Sequence, residues 1–284
     1  MLKAGDKIGL ICCSDGKRLE EEPEITKLVQ LLKDYFHLQP ILAPTIFQKN
    51  KTVFSGTPME RAQALMTFYN DFSIKMIFDL SGGDSANSIL THLDYTAIEA
   101  ANKPFVGYSD LTVVLNAVFT QTGSIGYNYQ LSNLLKDIKQ KNTFQHFFMD
   151  NLTLEDLNYT WLTEPKMVNS IVIGGNIRCM LKLAGTPYWP TCSNFTLLLE
   201  ARGGKIEQIS CYLNQLEQTG IMQSCQAILL GQFTTIESEN QESELIELLL
   251  YFAKKYNFSV IKTKEIGHST DSLPFPIGQL TLFS

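Results

Sequence analysis

The sequence contains no run of roughly 20 apolar residues, the length that a membrane-spanning helix requires. The apolar stretch nearest the N-terminus, residues 8–13, is shorter than the core of a secretory signal. It is interpreted instead as a first buried strand. Together these absences predict a cytoplasmic protein that has no membrane partner.

Charged residues and metal-binding patterns are also scarce. Charged residues make up 18% of the chain and hydrophobic residues 44%, a globular composition with ample material for a core. The net charge of −6 argues against a nucleic-acid backbone as the main partner. No CxxC pair or matching histidine spacing occurs, so neither a zinc site nor a disulfide framework is expected from the six cysteines, Cys12, Cys13, Cys179, Cys192, Cys211 and Cys225.

What the sequence does contain is an alternation of strand-like and helix-like segments. The segments "KIGLICC", "IKMIFDL" and "KPFVGY" are predicted strands, and "PEITKLVQLLKDYF" and "DLTVVLNAVFTQTG" have helical spacing of apolar residues. Thr57, Pro58 and Glu60 mark the start of a further helix, because they form the pattern of a capping box. This alternation predicts an α/β fold with a mostly parallel sheet covered on both faces.

A change in composition predicts two domains. Residues 136–165 are polar, aromatic and irregular, and we interpret them as a linker. The N-terminal domain then covers residues 1–135. The C-terminal domain, residues 166–284, has short apolar strands separated by glycines and is predicted to be a smaller α/β or α+β domain.

Two turns between a strand and a helix are candidate ligand sites, because parallel sheets bind ligands at such turns. In "DLSGGDSAN", Gly82 and Gly83 allow close approach of a ligand to the backbone, although a glycine pair also serves simple chain reversal. In "KPFVGYSDLT", Ser109 is either the cap of a helix or a nucleophile on a sharp elbow. Leu111 occupies the position of the second glycine of GxSxG, so this motif alone does not decide between them.

A serine nucleophile requires a base and an acid that orients it. Of the four histidines, His268 lies in a loop rich in Gly and Pro, which makes it the best catalytic candidate. His37, His92 and His146 lie in or at the ends of helical segments. Glu200 ends the apolar strand "FTLLLE", where a sheet presents catalytic groups, although carboxylates at strand ends are commonly only solvated.

Five segments occur in the order and spacing of the LD-carboxypeptidase family of serine peptidases: "SGGDSANSILTHLDY", "KPFVGYSDLT", "VIGGNIRCMLKLAGTPYWP", "LLLEA" and "IGHSTDSLPFPIG". That family includes muramoyl-tetrapeptide carboxypeptidases and microcin-C self-immunity carboxypeptidases. The resemblance spans nearly the whole chain. It identifies the sequence as similar to a family of amide-hydrolysing enzymes.

The resemblance implies a catalytic triad of Ser109, Glu200 and His268. It also implies a Rossmann-like N-terminal domain that carries the serine, a C-terminal domain that carries the other two residues, and a homodimer with each active site between domains. The backbone N–H groups of Gly83 and Asp110 are then expected to stabilise the oxyanion. Neither a metal nor an organic cofactor is required by this chemistry.

A carboxypeptidase also recognises a terminal carboxylate or its equivalent. Candidates are Asn176, Arg202 and Lys205, although exposed cations are as often simply solvated. Trp189 is a candidate for stacking on a substrate ring, but a core position is more common for such an aromatic. The segment "GGDSAN" is closer to the microcin-C immunity branch, which favours a peptidyl- or aminoacyl-nucleotide substrate. Release of a terminal D-amino acid from a muropeptide is the alternative, and a non-catalytic small-molecule-binding protein is a third.

Overall fold

The computed structural model describes residues 1–150 and 157–284, whose strands form two six-stranded sheets. In chain order the strands are β1 (Lys7–Ile11), β2 (Gln39–Leu42), β3 (Ile74–Asp79), β4 (Phe105–Gly107), β5 (Gly126–Asn128), β6 (Thr160–Trp161), β7 (Val168–Asn176), β8 (Phe195–Ala201), β9 (Cys225–Phe233), β10 (Ser259–Lys262), β11 (Phe275–Ile277) and β12 (Leu280–Phe283).

The α-helices lie between these strands, and three of those in the described residues begin at a residue whose side chain caps the helix: Thr57, Asp94 and Asn176. Thr57 caps the second helix through the predicted capping box, because its hydroxyl accepts from the Glu60 N–H and the Glu60 carboxylate accepts from the Thr57 N–H. No helix in the described parts of the chain is long and apolar enough to cross a membrane. The helices are α1 (Glu22–Asp34), α2 (Pro58–Asn70), α3 (Tyr95–Ala101), α4 (Thr112–Thr122), α5 (Lys139–Phe144), α6 (Ile177–Leu181), α7 (Ile206–Gln218), α8 (Thr234–Ser238) and α9 (Glu242–Tyr256).

The first sheet has the strand order β11-β5-β4-β3-β1-β2. Neighbouring strands from β2 to β5 are parallel, and β11 adds to the edge in the antiparallel direction. Apolar residues of α1 pack in the core on one face, and those of α2 and α4 pack in the core on the other. The predicted α/β fold with a parallel sheet covered on both faces is therefore confirmed.

The second sheet has the strand order β12-β7-β8-β9-β10-β6. Its four central strands are parallel, and the edge strands β12 and β6 are antiparallel to their neighbours. Every residue of β8 is buried, as expected for a central strand with both faces covered. The carboxyl ends of these parallel strands present Glu200 and Asn176 side by side, because the two residues are paired in the register of β7 and β8.

The two sheets are joined by buried hydrogen bonds as well as by the chain. Asn116 of α4 donates to the carbonyl of Gly174 in β7 and accepts from the N–H of the same glycine. The N–H of Asn176 donates to the hydroxyl of Thr112, the first residue of α4, at 3.0 Å. The helix that follows the candidate serine is thereby fixed to a strand of the other sheet.

The segment interpreted as a linker contains regular structure. Helix α5 continues into a wider helical turn at Gln145–Met149, and residues 151–156 lie outside the described part of the chain. Within it, Phe144 and Phe148 are four residues apart and pack together against Phe78 of the first sheet. Burial of this aromatic pair stabilises a helical turn in an otherwise polar segment.

Candidate active site

Ser109 lies on a sharp turn at the carboxyl end of β4. Its φ is 54°, in the left-handed region that residues other than glycine seldom adopt. A 3₁₀ turn, Ser109–Leu111, follows and leads directly into α4. This is the strand–serine–helix elbow that exposes a serine hydroxyl above a sheet. Ser109 lines a cleft of about 620 Å³.

Glu200 and His268 form a buried pair on the second sheet. The imidazole Nδ1 lies 2.7 Å from Glu200 Oε2, and Glu200 is 1% exposed. Because an ionised carboxylate only accepts hydrogen bonds, Nδ1 carries the proton in this pair. Gly231 of β9 permits the approach: a Cβ there would lie 2.6 Å from the Ile266 carbonyl and 3.2 Å from Glu200 Cβ. A larger residue at position 231 would push the histidine loop away from Glu200.

The loop that carries His268 is fixed by polar contacts with residues from both halves of the chain. The amide of Gln232 in β9 donates to the hydroxyl of Ser269 and accepts from the Ser269 N–H. From the N-terminal half of the chain, the amide of Asn133 donates to the Ser269 carbonyl at 3.2 Å. The imidazole is therefore held by its immediate neighbour in the chain as well as by Glu200.

The imidazole also lies beside the strand end that carries Ser109. The ring centroid of Tyr108 is 5.3 Å from that of His268, and burial raises the pKa of Tyr108 to about 12. Within the described residues, His268 Nε2 is buried and without a hydrogen-bond partner. Ser109 Oγ makes no hydrogen bond to it in this structure. Such contacts are often loose in unliganded enzymes and tighten when substrate binds.

The two predicted oxyanion donors lie on adjacent loops. Gly83 has a φ of 127°, and a Cβ there would lie 2.4 Å from the carboxyl carbon of Asp15. Asp110 directly follows the serine, and its buried carboxylate accepts from Ser14 Oγ at 2.7 Å and from the Ala86 N–H at 2.8 Å. Neither the Gly83 N–H nor the Asp110 N–H has a hydrogen-bond partner among the described residues.

The four predicted substrate-binding residues divide into two groups. Asn176 and Arg202 line the cleft with Ser109; Asn176 is buried and caps α6, whereas Arg202 is exposed. Lys205 precedes α7 and pairs with Glu239 at 3.5 Å on the surface, and it does not line the cleft. Trp189 is half-buried, packs against the core and also lies outside the cleft lining.

Several cleft residues were missed in the sequence. Asp84 and Arg178 both line the cleft and form an ion pair with each other. Farther from Ser109, the wall is formed by Gln208 and Tyr212 of α7 and by Thr235. Arg178 had a usable signal, because it lies in the first turn of α6, directly after the end of β7, at a third junction between a strand and a helix. The α7 residues had none, since an amphipathic helix does not indicate which part of its polar face borders a cleft.

A buried arginine below the glycine pair was also missed. Arg61 of α2 is 2% exposed and donates to the Cys13 carbonyl and to the hydroxyls of Ser85 and Ser88. Burial lowers its pKa below the ordinary value for arginine. Its role is to hold the glycine loop, residues 81–85, against the end of β1.

A serine hydrolase requires an elbow serine that borders a cleft, a histidine hydrogen-bonded to a buried carboxylate, and backbone N–H groups without a partner, and the described residues supply each of these. Family models agree with this class. The LD-carboxypeptidase N-terminal domain matches residues 8–129, and the LD-carboxypeptidase C-terminal domain matches residues 169–282. The chain belongs to the LD-carboxypeptidase family and is a serine-type carboxypeptidase.

Two relatives are each 24% identical in sequence to this chain. The probable murein peptide carboxypeptidase of Bacillus subtilis is 24% identical over 98% of this chain and 88% of its own length. The microcin C7 self-immunity protein MccF of Escherichia coli is 24% identical over 79% of this chain and 75% of its own length.

Solved structures share the fold. An MccF-like protein from Bacillus anthracis has a TM-score of 0.85 at 23% identity, covering 99% of this chain and 94% of that one. MccF in complex with aspartyl sulfamoyl adenosine has a TM-score of 0.81 at 22% identity, covering 98% and 92%. These similarities extend over both sheets.

Proposed function

We propose that this chain hydrolyses an amide bond of a small carboxylate-bearing substrate through a Ser109–His268–Glu200 triad. The observation that carries the proposal is the left-handed backbone of Ser109, which lines the cleft. The residue before it, Tyr108, lies beside the ring of His268, and that ring is hydrogen-bonded to the buried Glu200. Such strain in a non-glycine residue is typical of sites where geometry serves chemistry.

The reaction begins when His268 Nε2 takes the hydroxyl proton of Ser109 as Oγ attacks the scissile carbonyl. Glu200 keeps the proton on Nδ1, so Nε2 is the basic nitrogen, and it stabilises the imidazolium that forms. His268 then protonates the leaving amine, and a water molecule activated by the same nitrogen releases the acyl group from Ser109. Glu200→Gln is expected to lower kcat by about 10³–10⁴-fold, because the amide no longer enforces the required tautomer.

The N–H groups of Gly83 and Asp110 are the proposed donors to the oxyanion. Both lack a partner among the described residues, which leaves them available to substrate. Loss of one such donor typically costs about 3 kcal/mol of transition-state stabilisation.

For the substrate, we propose a peptidyl- or aminoacyl-nucleotide type of molecule, as expected for an MccF-like enzyme. Arg202 and Asn176 are the proposed contacts for its carboxylate, with the guanidinium suited to bidentate binding. MccF, which shares the fold, binds aspartyl sulfamoyl adenosine. The alternative is removal of a terminal D-amino acid from a muropeptide, and the similarity of the murein peptide carboxypeptidase over 98% of this chain supports it.

We further propose that the enzyme acts in the cytoplasm as a homodimer, with residues 1–135 and 166–284 as its two domains. All six cysteines are free thiols, which is typical of proteins from a reducing compartment. Gel filtration with light scattering tests the dimer directly, and a monomeric mass at micromolar concentration would contradict it.

The decisive experiment compares wild-type protein, Ser109→Ala and Ser193→Ala on two substrates. Ser193 is exposed and outside the cleft lining, so it is the matched control. The substrates are an aminoacyl sulfamoyl adenosine and a tetrapeptide that ends in D-alanine, with products separated by chromatography. We expect hydrolysis by the wild type and the control and none by Ser109→Ala. Hydrolysis by Ser109→Ala at the wild-type rate would refute the proposed nucleophile, and the preferred substrate decides between the two classes.

A further inference from the structure

Lys182 connects the two loops that carry the proposed oxyanion donors. It directly follows α6, in the C-terminal half of the chain, and its ammonium donates three hydrogen bonds. Two go to Asp84, one to the carbonyl at 3.0 Å and one to the carboxylate at 2.9 Å, and the third goes to the Asp110 carboxylate at 2.5 Å. An ammonium has three N–H groups, so its donor capacity is fully used.

These acceptors stand in a specific relation to the proposed oxyanion hole. Asp84 directly follows Gly83, whose N–H is the first proposed oxyanion donor. Asp110 accepts from Lys182 through its side chain, and its backbone N–H is the second proposed oxyanion donor. The Asp110 carboxylate also accepts from the Ala86 N–H, which ties the serine turn to the glycine loop a second time. The spacing between the two donors is therefore fixed by one cation and one carboxylate.

The charges explain why a cation is required at this position. Asp110 has no exposed surface, and an unpaired carboxylate in such a place is strongly unfavourable. Lys182 is its only ion-pair partner in the described parts of the chain, because Arg178 pairs with Asp84 alone. Burial would lower the pKa of Lys182, but its interactions with Cys179, Asp110 and Asp84 outweigh burial and raise the pKa above the ordinary value. The side chain is thus a permanent cation.

We propose that Lys182 is a positioning residue that sets the geometry of the oxyanion hole from the opposite sheet. This inference rests on the proposed serine mechanism and adds a residue to it. Lys182 does not line the cleft, so it acts through Asp84 and Asp110 and not by binding substrate. Its loss is expected to affect the tetrahedral intermediate more than the bound substrate.

The test uses Lys182→Met and Lys182→Arg, with Lys262→Met as the control. Lys262 is similarly enclosed, with 14% side-chain exposure against 18% for Lys182, and it pairs with a carboxylate outside the proposed site, that of Glu242. We expect Lys182→Met to lower kcat by about 10–100-fold with KM within about twofold, less than the loss of a whole donor. The Ki of a substrate-like peptide aldehyde, which forms a tetrahedral adduct with the serine, should rise by the same factor as kcat falls. Lys182→Arg should recover most of the lost kcat, and Lys262→Met should match the wild type.

Two results would overturn the inference: a Lys182→Met enzyme with the kcat of Lys262→Met, or a loss confined to KM with unchanged aldehyde binding. If Lys182→Met does not fold, the double variant Lys182→Met/Asp110→Asn removes both charges and the same criteria apply to it. Ser109→Ala, assayed in parallel, separates the two hypotheses. An inactive Ser109→Ala beside a fully active Lys182→Met refutes only the positioning role, whereas full activity in both refutes the serine mechanism itself.

Discussion

The left-handed backbone at Ser109 predicts an unusual effect of glycine on stability. Ser109→Ala and Ser109→Gly both remove the hydroxyl, so both are expected to be inactive, but they differ in the cost of a φ of 54°. A residue with a Cβ loses about 1–2 kcal/mol in the left-handed region, whereas glycine loses almost nothing there. Glycine also gains freedom in the unfolded chain, which ordinarily makes it about 0.5–1 kcal/mol less stabilising than alanine.

The difference between these terms gives the expected sign. Ser109→Gly should be more stable than Ser109→Ala by about 0.5–1 kcal/mol, the reverse of the usual order. Ser210 lies within α7 and provides the control, because Ser210→Gly there should be less stable than Ser210→Ala by about 1 kcal/mol. The free energy of unfolding is measured by urea titration with tryptophan fluorescence. If glycine is the less stable substitution at position 109 as well, the backbone strain inferred for the serine is absent.

Three further predictions follow from the surroundings of the site. Gly83→Ala should lower kcat and destabilise the protein by about 2–4 kcal/mol, because the new Cβ meets both a positive φ and a steric clash with Asp15. In Gly82→Ala the new Cβ would have only the Tyr108 hydroxyl nearby, at 3.8 Å, so kcat and the free energy of unfolding should both stay close to the wild-type values. Thr112→Val and Thr196→Val each remove one buried hydrogen bond of a hydroxyl group, at a cost of about 1–3 kcal/mol in stability. Only the Thr112 hydrogen bond joins the two sheets, so only Thr112→Val should lower kcat. Equal kcat values for the two variants would contradict this. Ellman's reagent at pH 8 should titrate one thiol rapidly, the exposed Cys211, because burial raises the pKa of the four buried cysteines and of the partly buried Cys192. Rapid reaction of two or more thiols would be inconsistent with the packing.

Much of the fold could be predicted from local patterns. Helix α2 begins where the capping box indicates, and the alternation of strands and helices correctly predicts the parallel sheets. Strand β11 could not be predicted: it has three residues, and Pro276 at its centre argues against a strand by composition. The proline is accommodated because β11 lies at the edge of the first sheet, and edge position is a property of the whole topology.

The site could be predicted only as far as short motifs reach. Ser109, Glu200 and His268 stand out because each lies at a strand end or in a Gly/Pro loop, and the resemblance to a family places them together. Lys182 and Arg61 do not stand out, because their partners are distant in sequence; 72 residues separate Lys182 from Asp110. A cation on or next to a helix is normally solvated. The periodicity of apolar residues does not indicate which carboxylate or carbonyl such a cation contacts in the folded protein.

This division between local and distant contacts also bears on catalysis. Ser109 follows a strand of the first sheet, and the His268–Glu200 pair belongs to the second, so the distance between the proposed nucleophile and the proposed base depends on how the sheets dock. Thr112 and Asn116 contribute buried hydrogen bonds across that junction, and Lys182 contributes a partly buried one to Asp110. All three contact groups within a few residues of Ser109, Asn176 or Gly83. A substitution at the junction therefore changes the alignment of the reacting groups as well as stability. A substitution of equal cost inside one sheet and away from the site, such as Thr196→Val, changes stability alone, because it leaves the residues of the proposed triad in their original relation.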